Sequence, residues 1–152
     1  MGRSLGAGDA DAAYAAALRM IELATVAGVV FAVILLALTS VIPHAFTSDS
    51  DVIHQLDKIW PLFALMQPAN GAVFALDGIL IGAGDTRFLM WGMLAASLGV
   101  FVPVALGSLA LELGIVGVWC GLLGLIGARL VTCGWRFRGR RWAIVGASRA
   151  PA

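Results

Sequence analysis

Four long apolar runs, separated by short turns, constrain this chain more than anything else in it. They cover residues 23–46, 60–82, 88–111 and 113–135. Each reaches the roughly 20 residues that a helix needs to cross a bilayer. Lipid leaves no water for unsatisfied backbone groups, so only helices or closed barrels can span it. None of the four runs alternates strictly between apolar and polar residues, so they read as helices. Composition agrees: 61% of the residues are hydrophobic and 12% charged, where a soluble domain carries about 25% charge. The expected fold is an all-α membrane protein with residues 1–22 as a lead-in and residues 136–152 as a basic tail.

The turns are short, so consecutive helices are expected to be antiparallel. The longest, residues 47–59, contains Ser48 and Asp51 at capping-box spacing. Lys58 alone marks one side, where Asp49, Asp51 and Asp57 also lie. Arg3, Arg19, Arg87, Arg136, Arg138, Arg140, Arg141 and Arg149 mark the other. The excess of arginine places both termini in the cytoplasm. Trp60 and Trp119 are then expected at the outer interface, and Trp91 and Trp135 at the inner one.

The second run carries the polar residues. Gln67, Asn70 and Asp77 fall within about 80° of one another on a helix, one polar stripe on an apolar rod. An intramembrane carboxylate is costly unless it faces a cavity or a partner, which makes this stripe the candidate substrate or ion pathway. Arg129, inside the fourth run, is the candidate partner. Asp77 lies eight residues before Asp85, and Arg129 seven before Arg136, so their depths match at roughly 10–12 Å from the same end. Snorkelling of Arg129 to the headgroups is the competing expectation.

Gly82-Ala83-Gly84-Asp85 ends the second run, and Gly6-Ala7-Gly8-Asp9 repeats that tetrapeptide near the start. Glycine permits a left-handed helix end and aspartate caps the next helix, so Gly6, Gly8, Asp9, Gly82, Gly84 and Asp85 read as turn residues. Gly78-x-x-x-Gly82 and Gly117-x-x-x-Gly121, the latter extended by Gly124 and Ala128, are expected packing faces. Cys120 and Cys133 are 13 residues apart in one run, about 20 Å on a helix, and read as packing residues rather than a disulfide. His44 and His54 have no metal-ligand partner at useful spacing. HExxH, GxSxG and paired carboxylates are absent from the sequence, so no enzyme, metal or cofactor is expected, and no nucleic-acid partner.

Residues 71–87, GAVFALDGILIGAGDTR, resemble the tenth transmembrane helix of the multidrug and toxic compound extrusion (MATE) transporters. The resemblance is closest to the branch named for DNA-damage-inducible protein F. It extends from Gly2 to about Trp135: the opening is similar to the loop between helices eight and nine, and Ala45–Ser50 to the outer end of helix nine. The family has twelve helices in two six-helix lobes. The resemblance therefore implies that this chain is a C-terminal part, helices nine to twelve, with the N-terminal lobe as its missing partner. It also implies a multidrug antiporter that moves small cationic or amphiphilic organic compounds against H+ or Na+. The carboxylate that holds sodium in one branch falls by spacing on Asn70, an amide. A lipid-linked flippase of the same superfamily is the alternative, and a non-transporting relic or membrane subunit another.

Overall fold

The computed structural model describes residues 9–140 and Trp142. Gly6, Gly8 and the tail beyond Trp142 lie outside the described residues. Those described form helices and turns, with no strand among them. Helix α1 runs from Ala10 to Ala37 and starts where Asp9 accepts a hydrogen bond from the Ala12 amide at 2.9 Å. Helix and first apolar run are thus continuous across residue 22, because the alanine-rich segment between Ala10 and Arg19 is itself a strong helix former. At the far end Thr39 Oγ1 donates to the Leu36 carbonyl at 2.7 Å. The chain turns and resumes as α2, Ile42–Phe46, with Pro43 in its first turn. The expected run 23–46 is therefore two helices.

Helix α3, Ser50–Leu65, is capped by Asp49, whose carboxylate accepts from the Asp51 and Val52 amides. The box expected at Ser48 and Asp51 is replaced by a cap one residue later. Helix α4, Gln67–Gly82, follows after a 50° bend at Met66. Pro68 explains the bend: it has no N–H to give the Ala64 carbonyl, and its ring crowds that carbonyl. The expected span 60–82 is thus the inner part of a bent α3–α4 pair.

Helix α5, Thr86–Ala96, a π-helical segment Ser97–Phe101 and α6, Val102–Ala110, make one span around Pro103. The missing N–H of Pro103 loosens the ladder just before it, and the wider turn absorbs the mismatch. Helix α7 is continuous from Gly114 to Arg138. Three helices are long and apolar enough to cross a membrane, and the bent α3–α4 pair makes up to four.

Helix α4 is the centre of the packing. It lies against α1 so closely that a Cβ on Gly28 would collide with the Gln67 carbonyl and Pro68 Cα, and one on Gly71 with the Ala24 carbonyl. On its other side it meets α7. Ala13, Ala17, Leu76, Ile79, Leu80, Cys133 and Phe137 form the core where the three helices join. At the opposite end Trp60 is buried with Leu35 and Ala64, and its indole N–H donates to the Leu35 carbonyl at 2.8 Å.

Candidate functional site

Asp77 lies on the face of α4 that meets α7. Arg129, four residues before the buried Cys133 on α7, points back at it. The Arg129 guanidinium donates to Asp77 Oδ2 at 2.5 Å, with the side chains 12% and 14% exposed. Cys133 Sγ lies 3.9 Å from the other carboxylate oxygen. Opposite charges at this depth lower one another's desolvation cost, as neither could alone. The pair borders a groove of about 400 Å³ whose walls include Phe74, Ile81, Leu89 and Met93.

The other two residues of the polar stripe are elsewhere engaged. The Gln67 side-chain amide donates to the Phe63 carbonyl at 2.9 Å, covering a backbone acceptor beside the bend. Asn70 is partly buried, and its backbone amide continues the helix by donating to the Met66 carbonyl at 2.9 Å. Among the described residues no hydrogen bond joins either of them to Asp77. Residues sharing one helical face are separated here by depth: Gln67 sits at the bend and Asp77 ten residues further along.

A second ion pair lies eight residues beyond the first. Gly84 adopts φ +81°, and the Gly84 and Asp85 amides donate back to the Ile81 and Leu80 carbonyls, each at 2.9 Å. This is the left-handed helix end expected at the tetrapeptide. Asp85 holds the N-cap position of α5 but makes no side-chain cap hydrogen bond. Its carboxylate instead accepts from Arg136 Nε at 2.6 Å and Nη2 at 3.2 Å. A guanidinium can grip both carboxylate oxygens, which a helix amide cannot, so the fork displaces the cap. Arg136 also lies 4.9 Å over the Phe88 ring.

A third contact ties the start of α1 to the end of α7. Arg140 donates to Asp11 at 2.9 Å and lies 4.5 Å over Tyr14. Tyr14 stacks on Phe137 at 4.9 Å, and Phe137 on Trp142 at 5.4 Å. Sequence reasoning did not single out Tyr14, Phe137 or Asp11. Their signal is weak because the pairing spans nearly the whole chain: Asp11 and Arg140 are 129 residues apart.

The small-residue faces behave differently from one another. A Cβ on Gly117 would run into Ser108, one on Gly121 would touch Phe101, and one on Gly124 would press on Val100, so α7 packs on the α5–α6 span through that stripe. Gly78 and Gly82 have nothing within 4 Å. The close approach on α4 is made by Gly71 instead.

Long apolar helices, two of them joined by a partly buried ion pair, define a multi-pass membrane protein. The MatE family model matches residues 1–106, and the chain belongs to that family. It is 29% identical to multidrug and toxin extrusion protein 2 of Mus musculus over 127 residues, which is 81% of this chain and 22% of the relative. It is 26% identical to multidrug and toxin extrusion protein 1 of Homo sapiens over the same shares. To Protein DETOXIFICATION 42 of Arabidopsis thaliana it is 36% identical over 134 residues, 84% of this chain and 24% of the relative. The chain thus spans about a quarter of the length of these relatives. No solved structure matches it. The family is one of transporters rather than enzymes.

Proposed function

We propose that this chain forms helices nine to twelve, in the C-terminal lobe of a twelve-helix MATE antiporter of the DNA-damage-inducible protein F branch. Its spans run antiparallel, with both termini cytoplasmic, in the inner or plasma membrane. The transporter extrudes cationic or amphiphilic organic compounds in exchange for a cation, a proton rather than sodium. The names of the multidrug and toxin extrusion relatives support extrusion of small molecules. The Asp77–Arg129 pair is the observation that carries the site: an aspartate–arginine pair between two apolar helices, beside a groove, supports a pathway rather than a packing surface. Protonation of Asp77 removes the charge that holds Arg129, so one proton changes which helix faces attract one another. Asn70, an amide, offers no charge for a sodium site. In such transporters two halves rock around a central site; α4 and α7 belong to one half, so releasing the pair would alter the packing within that half.

Ethidium efflux from proteoliposomes tests this, using the transporter of which the chain is a part. A proton gradient imposed alone is expected to drive efflux, and a sodium gradient alone is not. Asp77→Asn is expected to flatten the pH dependence while the protein still inserts. Efflux driven equally by sodium, or unaltered by Asp77→Asn, rejects this reading.

A further inference from the structure

A second recess lies apart from the Asp77–Arg129 groove and is unused by it. It is a cleft of about 630 Å³ between α1 and α7, with Ala72 and Leu76 of α4 as its floor. Tyr14, Leu18 and Ile21 form one wall, and Leu130, Gly134 and Phe137 the other. Arg138 stands at one end and is the one charged side chain among the lining residues. It is exposed and makes no ion pair among the described residues. The cleft runs along α7 from Leu130 to Arg138, roughly 12 Å at 1.5 Å per residue, close to the thickness of one hydrocarbon leaflet. Trp135, 67% exposed, also lines the cleft, and indoles favour membrane interfaces.

We infer that this cleft is a binding site for one anionic phospholipid, with an acyl chain between α1 and α7 and the phosphate on Arg138. Charge and shape both select that occupant. The walls are apolar over the depth of a leaflet, and the single charge lies at the headgroup end and is positive. A zwitterionic lipid would bring an ammonium group towards Arg138, and an organic cation would be repelled by it. Arg138 reaches the phosphate because its stem lies along apolar surface while its head stays at the interface. Arg136 and Arg140, the neighbouring described cations, are already held, the first by Asp85 and the second by Asp11 and Tyr14. Gly134 leaves the cleft open: a Cβ there would have nothing within 4 Å. The site depends on the chain crossing a membrane with this face towards lipid, and not on the transport reading.

Native mass spectrometry of the transporter of which the chain is a part, released from nanodiscs of equimolar phosphatidylglycerol and phosphatidylcholine, tests it. One phosphatidylglycerol is expected to be retained in preference to phosphatidylcholine. Arg138→Gln is expected to lower that preference about fivefold, the effect of one basic residue on an anionic lipid. Arg87→Gln, an exposed arginine outside the cleft, is expected to leave it unchanged. Gly134→Phe fills the cleft and is expected to remove the retained lipid of either kind. Thermal melting in detergent reports whether that variant folds, and Leu18→Trp, which fills the cleft from the α1 side, is the second filling variant. Equal retention of the two lipids, equal losses for Arg87→Gln and Arg138→Gln, or lipid retained by a folded filling variant overturns the inference.

Discussion

Asp85 and Arg136 meet through two hydrogen bonds, at 2.6 and 3.2 Å, although Asp85 occupies a position from which aspartate ordinarily caps a helix. Three contacts converge there: the fork, the Phe88 ring and the left-handed turn at Gly84. Arg136→Lys keeps the charge but loses the fork and the flat stacking on Phe88. It is expected to cost about 1 kcal/mol in detergent unfolding, and Asp85→Ala about the same. Equal stability of wild type and Arg136→Lys would show that only the charge matters.

The deeper pair is expected to be strongly coupled. Asp77→Asn or Arg129→Gln alone leaves one partly buried charge without its partner, at a cost of roughly 2–3 kcal/mol. The double variant leaves neither, so it is expected to cost less than the sum of the singles. A double-mutant cycle on detergent-solubilised protein should give a coupling of about 1 kcal/mol or more. Additivity within about 0.5 kcal/mol would mean that Arg129 is satisfied elsewhere.

Glycine-to-alanine substitutions are expected to divide by helix face. Gly28→Ala and Gly71→Ala drive a methyl group into the backbone of the facing helix, and should each lower stability by about 2 kcal/mol or more. Gly78→Ala meets nothing within 4 Å, and should raise stability by about 0.5–1 kcal/mol through the lower chain entropy of alanine. Melting temperatures of the three variants check both signs at once.

Glu112 is a non-glycine residue with φ +52°. The Leu113 amide donates to the Ser108 carbonyl at 3.0 Å across it, which closes the end of α6 in the way glycine usually permits. Glu112→Gly relieves the Cβ conflict of a left-handed residue, and is expected to stabilise the turn by about 1 kcal/mol. Urea unfolding in mild detergent measures it; a destabilised Glu112→Gly would mean that the glutamate side chain contributes more than its backbone strain costs.

Much of the architecture was legible because its causes are local. Span length, proline and glycine act over a few residues, so the all-helical, apolar character and the left-handed end at Gly84 could be read directly. Proline positions were visible too, but their consequences were not fully drawn. Pro68 divides one expected span into α3 and α4, and Pro103 introduces a π-helical segment rather than a break. The polar stripe was legible as a face but not as a site. Gln67 is spent on the bend and Asp77 on α7, because a shared face says nothing about depth or neighbour.

The sequence by itself determined that this is a helical membrane protein of the MatE family, and it set the positions of Asp77 and Arg129 along their helices. Only the tertiary structure decided that these two residues, 52 apart, meet. It likewise decided that Gly71 rather than Gly78 takes the close approach, and that Asp85 turns from its own helix to Arg136. The physical reason is common to all three. Sequence specifies the period and depth of each helix, whereas the rotation of a helix about its axis is settled by every face it packs against at once.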